Sequence, residues 1–179
     1  ARQGVQAGSD ARGTIPLVLI HAFPLDHRMG DECAGLIGKL TDIPGLEPFP
    51  IWAPDMPGAG KGPIPQPEEI GHIAQDGAYT EALDRVARAY VDLIRAEGYD
   101  RAIWVGLSMG GYVVLDIQRL HPEAVAGIAL CDTKADADSP ASRVRRLHIA
   151  ATCESQHTVE PVMHFARPLP TDSTIKHSA

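Results

Sequence analysis

Arg101-Ala102-Ile103-Trp104-Val105-Gly106-Leu107-Ser108-Met109-Gly110-Gly111 is the stretch on which the fold turns. Residues 101–105 form a short apolar run of the kind that makes a buried strand, and a helix is expected from about residue 109 to 120, before Pro122 stops it. Between them lies Gly106-Leu107-Ser108-Met109-Gly110, a G-x-S-x-G pentapeptide. Alone, such a pentapeptide is also met as an ordinary glycine-rich strand-to-helix loop. With a strand ending at Val105 and a helix beginning near Met109, it has the context of a nucleophile elbow. A serine on so sharp a turn takes an unusual backbone conformation, and bulky residues two positions to either side would collide across it. Gly106 and Gly110 remove those side chains. The turn lifts the Ser108 hydroxyl above the carboxyl end of the strand. The Met109 amide, helped by the positive end of the helix, faces the oxygen that becomes negative in a tetrahedral intermediate. Ser108 is therefore the expected nucleophile.

Upstream, residues 15–21 (IPLVLIH) are apolar and rich in β-branched side chains, and fit a buried parallel strand. The polar residues 6–14 ahead of it read as a loop. Met29, Cys33, Leu36, Ile37 and Leu40 recur at helical spacing, so a helix is expected over about 28–40, closed by Pro44 and Gly45. Residues 50–54 (PIWAP) suggest a second strand despite their prolines, and residues 57–67, rich in Gly and Pro, a loop. A helix over about 80–97 places Leu83, Val86, Ala87, Tyr90, Leu93 and Ile94 on one face and stops at Gly98. Residues 125–131 (VAGIALC) read as a further buried strand. Strands alternating with helices over short connections imply a mainly parallel sheet covered on both faces. After Ser139 the character changes: Val144, Leu147, His148 and Ala151 suggest a short helix and residues 159–165 another, with Pro168 and Pro170 interrupting the remaining tail.

Beside the elbow stands a second element. His21-Ala22-Phe23-Pro24-Leu25-Asp26, directly after the first strand, resembles the H-G-x-P loop of α/β-hydrolases of the esterase, enol-lactonase and cofactor-free haloperoxidase group, with alanine in place of the usual glycine. Ala53-Pro54-Asp55-Met56-Pro57-Gly58-Ala59-Gly60 is similar to the A-P-D-x-P-G-x-G turn of that family, and Leu130-Cys131-Asp132-Thr133 to its L-x-D-T strand end. The resemblance covers about residues 17–138. It implies a three-layer α/β/α sandwich with a mainly parallel sheet, and an oxyanion hole made by the backbone N–H groups of Phe23 and Met109. Asp55, in its turn, is expected to be structural.

In the same family the serine is followed in the chain by an acid and then by a histidine, each on a loop after a later strand. No matching element is found beyond Ser139, so the base and the usual acid are expected to lie outside this sequence. The chain is accordingly expected to be incomplete at its C-terminus, with core residues 1–138 followed by the start of a helical cap, residues 139–179. His21 is expected to support its loop by hydrogen bonding. His27 and His72 precede the nucleophile, and His121 sits at a helix end. His148, His157, His164 and His177 lie in the tail, none in the family's position. Asp132 is the one candidate acid, since some hydrolases of the fold carry theirs after this strand; the alternative is a carboxylate that anchors its own loop. Asp136 and Asp138 are expected to be solvated. Met163 and Phe165, in the cap, are expected to line an acyl pocket. The strand over residues 125–131 would be an apolar edge, to be covered by a C-terminal fragment or a homo-oligomer partner.

Composition bounds the rest. The sequence has 179 residues, 44% hydrophobic and 22% charged, in the range of one domain with a core. With 16 basic and 23 acidic residues the formal charge is −7, and no basic cluster suits nucleic acid. No apolar run suits a membrane span or a secretory signal, so a cytoplasmic protein is expected. Cys33, Cys131 and Cys153 are too scattered for a disulfide framework or a zinc site and are expected to be buried free thiols. No metal or organic cofactor is implied. The elbow and the family resemblance, and not the composition, imply the reaction: hydrolysis of a small ester or lactone through an acyl-enzyme. Haloperoxidase-like perhydrolysis, C–C bond hydrolysis and a non-catalytic binding role are the alternatives.

Overall fold

The architecture is that of a computed structural model, which describes residues 2–3, 14–44 and 47–166. The loop expected over residues 6–14 lies outside the described residues apart from Thr14, as do Gly45, Pro168, Pro170 and His177. Five strands form one sheet in the order β1-β3-β2-β4-β5, where β1 is Arg2–Gln3, β2 Leu17–Ile20, β3 Ile51–Trp52, β4 Ala102–Leu107 and β5 Val125–Cys131. All pairs among β2 to β5 are parallel, and β1 runs antiparallel to β3. The helices are α1 (Asp31–Gly38), α2 (Pro67–Ile70), α3 (Ala82–Ala96), α4 (Met109–Leu120), α5 (Pro140–Gln156) and α6 (Met163–Ala166).

Alternation along the strands sends side chains to two layers. Val18, Ile20 and Trp104 face α3 and α4, packing with Ala87, Tyr90, Val91, Ile94, Val113, Val114 and Ile117. Leu17, Leu19, Ile51 and Ala53 face the other way, against Ala34 of α1. The indole N–H of fully buried Trp104 donates to the Ala124 carbonyl (3.0 Å), which fastens β4 to the entry of β5. Across the two helices, Arg119 on α4 donates to Asp84 on α3 (2.7 Å) and to Asp116 (2.8 Å).

Several bounds differ from expectation. β4 runs through Gly106 and Leu107 because Gly106 pairs with Ile20 and Leu107 with Cys131, so the ladder outlasts the apolar run. The first helix keeps only Asp31–Gly38, flanked by 3-10 turns His27–Gly30 and Lys39–Asp42, and leaves Leu36 and Leu40 exposed. Gly30, Gly35 and Gly38 lower its helical propensity and account for the shortening. On α3 the buried stripe is Ala87, Tyr90, Val91 and Ile94, an i, i+3, i+4, i+7 set, and Leu83 and Leu93 fall outside it. α2, unforeseen, begins at Pro67, with Gln66 and Glu69 forming a capping box. α5 is longer than expected: Ser139 caps it, and none of its residues is buried. The buried-thiol expectation fails, since Cys33 and Cys131 are exposed and Cys153 is half-buried; Cys131 ends the strand β5, whose Ile128 and Leu130 are exposed as well.

Two compact units are distinguished, residues 1–74 with 79–135 and residues 75–78 with 136–179. Within the second, Arg143 pairs with Asp76 and Arg146 with Asp138, each at 2.6 Å, so Asp138 is not simply solvated. Among the described residues β5 is hydrogen-bonded on one side only, and its Ile128 and Leu130 are exposed. No helix of the described residues is long and apolar enough to cross a membrane.

Candidate active site

Ser108 sits alone between the last residue of β4 and the first of α4, with φ 52° and ψ −112°. A positive φ at a residue with a Cβ costs on the order of 1–3 kcal/mol and persists only where its surroundings impose it. Here they do. The Ser108 N–H donates to the Cys131 carbonyl (2.9 Å), and the Ser108 carbonyl accepts from Gly111 N–H (3.0 Å) and from the Thr133 hydroxyl (2.8 Å). The Ser108 hydroxyl itself makes no hydrogen bond among the described residues.

The glycines around it serve different contacts. A Cβ on Gly106 would run into the Gly110 carbonyl and lie 2.5 Å from Gly110 C and 2.6 Å from Gly111 N, a collision across the turn. On Gly110 it would instead strike the end of β2: the Ile20 carbonyl, with Ile20 C at 2.8 Å and the His21 oxygen at 2.9 Å. The requirement at Gly110 is thus close approach of α4 to β2, which brings the start of the His21 loop against the first turn of α4.

Two histidines brace that loop on either side of Phe23. Met56 N–H donates to His21 Nε2 (2.9 Å, buried), which leaves the ring proton on Nδ1, 3.0 Å from the Ala22 carbonyl that accepts it. His27 donates its backbone N–H (2.8 Å) and its Nδ1–H (2.9 Å) to Asp55, and Lys61 N–H donates to the same carboxylate (2.8 Å). Asp26 caps the 3-10 turn by accepting from Arg28 N–H (3.0 Å), and the Arg28 guanidinium beside it holds its carboxyl at about 2. Both ring nitrogens of His21 are thereby engaged, and His27 spends its Nδ1–H on Asp55. Neither is hydrogen-bonded to Ser108.

Burial alone would raise the pKa of Asp55, but the N–H groups of Lys61 and His27 and the His27 ring outweigh it and hold the carboxyl below its ordinary value. A depressed folded pKa contributes stability that is complete above the unfolded value, about 3.9, and is lost as the pH falls through the folded one. The stability difference between wild type and Asp55→Ala is expected to be about 2–4 kcal/mol at pH 7, because three donors lose their acceptor, and to shrink below about pH 4. Urea unfolding of both proteins from pH 3 to 7 checks this; a pH-independent difference would contradict it. Asp26, His27 and Asp55 also place one donor atom each within 4.8 Å of one another, the spacing of a cation site. Asp26 is already committed to Arg28, and Asp55 to His27 and the Lys61 N–H, which is the pattern of a structural bolt.

Asp132 follows β5 at the same end of the sheet, one residue beyond the Leu107–Cys131 pair, exposed and with φ 42°. Its carboxylate accepts no hydrogen bond among the described residues, so it does not anchor its own loop. His121 ends α4 with Nδ1 3.5 Å from Glu123, and His72 faces Glu81 at 3.3 Å. Met163 and Phe165 lie in α6 of the second unit, where the Phe165 ring tilts against His164. An apolar cavity of about 140 Å³ lies on the α1 side, lined by His21, His27, Cys33, Val105, Leu107 and Cys131 among others. Its walls include Leu107, which precedes Ser108, and Cys131, whose carbonyl holds the Ser108 N–H, but not Ser108, Phe23 or Met109 themselves. Sequence reasoning overlooked Gly111, Thr133 and the His27–Asp55 brace; a third glycine after the pentapeptide and the histidine just past the loop were the available signals.

The chain is 31% identical over 118 residues to the pimeloyl-[acyl-carrier protein] methyl ester esterase of Methylococcus capsulatus, an alignment covering 65% of this chain and 37% of that protein. Among solved structures it resembles a thermophilic esterase from Thermogutta terrifontis, with a TM-score of 0.70, 27% identity, and coverage of 90% of this chain and 53% of that one. A hydrolase from Pseudomonas aeruginosa shares the fold, with a TM-score of 0.59 at 24% identity over 78% of this chain and 44% of that one. The chain therefore spans about half the length of these relatives, or less. A sequence model of the alpha/beta hydrolase fold matches residues 15–152, including the elbow, the His21 loop and β5. With that match over most of its length, and the parallel sheet and strained Ser108 turn already described, the chain belongs to the α/β-hydrolase fold family.

Proposed function

We propose that this chain carries the nucleophile and the oxyanion hole of a serine hydrolase that cleaves a small carboxylic ester or lactone through an acyl-enzyme. The observation that carries the reading is Ser108 itself, held at φ 52° on the strand-to-helix turn with its hydroxyl unbonded among the described residues. Its oxygen attacks the substrate carbonyl, and the Phe23 and Met109 amides receive the negative charge, two converging donors of the kind whose single loss costs about 10²–10³ in rate. The esterase names of the two relatives at 27% and 31% identity support the reaction class. The proton on Ser108 passes to a histidine supplied by polypeptide beyond the described residues, with Asp132 as a candidate acid, and from that histidine to the alcohol oxygen as the ester C–O bond breaks. Water, deprotonated by the same histidine, then attacks the acyl-enzyme, releasing the acid and restoring Ser108. The same polypeptide, as a C-terminal segment or a partner chain, covers the free side of β5, because an apolar strand edge invites pairing.

One observation favours a non-catalytic binding protein instead: no histidine is hydrogen-bonded to Ser108 among the described residues. Against it stands the strain at Ser108, which simple binding does not require.

Hydrolysis of p-nitrophenyl esters with acyl chains of two to eight carbons tests the proposal, run on the full-length protein. Measurable turnover is expected, with a rate that depends on chain length as a bounded acyl pocket requires. No turnover on any chain length would count against the function.

A further inference from the structure

We propose that Thr133 is a positioning residue that aims the Met109 amide by holding the other end of its peptide group, and that Gly111 is glycine to make room for it. This rests on the assignment of Met109 as an oxyanion donor. The Ser108 carbonyl and the Met109 N–H belong to one planar trans peptide, so they point in opposite directions and cannot turn independently. Whatever fixes the oxygen fixes the N–H.

The Thr133 hydroxyl donates to that oxygen at 2.8 Å, and Gly111 N–H donates to it at 3.0 Å. The second bond is local, an i to i+3 contact within the first turn of α4. The first comes from a separate element, two residues beyond β5, after the chain has turned through Asp132 at φ 42°. It therefore ties the orientation of the elbow peptide to the edge strand, alongside the bond from Ser108 N–H to the Cys131 carbonyl (2.9 Å). The side chain of Thr133 fills the space over α4: a Cβ on Gly111 would lie 2.5 Å from both Thr133 Cγ2 and Oγ1 and 2.7 Å from its Cβ. Residue 111 has thus given up its side chain to a residue whose hydroxyl reaches the back of the catalytic peptide. Thr133 touches no reacting atom, and its effect passes entirely through the peptide of Ser108 and Met109.

Thr133→Val keeps the shape and removes the donor; Thr133→Ser keeps the donor. For the full-length protein, Thr133→Val is expected to lower kcat for p-nitrophenyl acetate about ten- to a hundredfold, with KM within about twofold, since a misdirected donor weakens the transition state more than the bound ester. Thr133→Ser should restore at least half of the lost rate. Followed by NMR without substrate, the nitrogen chemical shift of the Met109 amide, which responds to hydrogen bonding at the carbonyl of its own peptide, should move in Thr133→Val and stay near the wild-type value in Thr133→Ser. Wild-type kcat together with a wild-type Met109 shift in Thr133→Val would overturn the proposal. So would a change in KM equal to that in kcat, or loss of folding in both Thr133→Val and Thr133→Ala, which would make the residue a matter of stability alone. Were the wild type to hydrolyse no ester, the functional reading would fail, and the Met109 shifts would decide the role of Thr133 by themselves.

Discussion

Replacing Ser108 by alanine is expected to lower ester hydrolysis by about 10⁴-fold or more, the scale on which loss of a nucleophile acts, while leaving the fold intact. The two parts of this expectation have separate physical grounds. The hydroxyl is the only atom removed, and among the described residues it makes no hydrogen bond, so no buried partner is orphaned. The contacts that impose the strained turn, to Cys131, Gly111 and Thr133, all reach the Ser108 backbone and survive the change. Stability should therefore stay within about 1 kcal/mol of wild type. Ser139 and Ser142 act as a contrast: they hydrogen-bond to each other at the start of α5, and their replacement should not abolish turnover. A Ser108→Ala protein that folds and retains more than a few per cent of the wild-type rate would remove Ser108 from the chemistry.

Gly110→Ala should have the largest effect on the fold. The added methyl would be driven into the Ile20 carbonyl, with Ile20 C at 2.8 Å and the His21 oxygen at 2.9 Å, all of it backbone that cannot swing aside. Relief requires α4 to lift from the end of β2, opening the layer in which Val113, Val114 and Ile117 meet Ile20 and Trp104. A loss of about 3 kcal/mol or more is expected, at or beyond the upper end of ordinary overpacking. Gly35→Ala is the matched control: a Cβ there meets nothing within 4 Å on a helix, so the change should stabilise by about 0.5–1 kcal/mol. Urea unfolding of the two variants gives the comparison directly, and equal stabilities would mean that α4 approaches β2 less closely than these distances require.

Local sequence carried the elbow because its requirements are local. A strand, two glycines about a serine, and a helix fit within eleven residues, and β5 and α4 end where their apolar runs do. What stayed hidden depends on partners far along the chain. Residues 2–3 form a strand only because β3 offers them an edge, and β4 gains Gly106 and Leu107 only through its neighbours on both sides. The bond between His27 and Asp55 spans 28 positions, and each residue alone looks like an ordinary loop polar group. The exposure of Leu36, Leu83 and Cys131 is decided by which neighbouring surface is present, a matter on which helical spacing is silent. Asp132 is the instructive case: the sequence left it as either an acid or an anchor of its own loop, and its carboxylate, which accepts no hydrogen bond among the described residues, bears on that choice.

The most direct test of Ser108 as the nucleophile is mass-spectrometric mapping of the full-length protein after reaction with a fluorophosphonate, with hydrolysis of p-nitrophenyl acetate followed in the same samples. A single adduct on the peptide containing Ser108 is expected, accumulating in proportion to the activity lost and absent from Ser108→Ala. Activity lost through an adduct at another residue, or hydrolysis continuing undiminished with Ser108 fully modified, would contradict it.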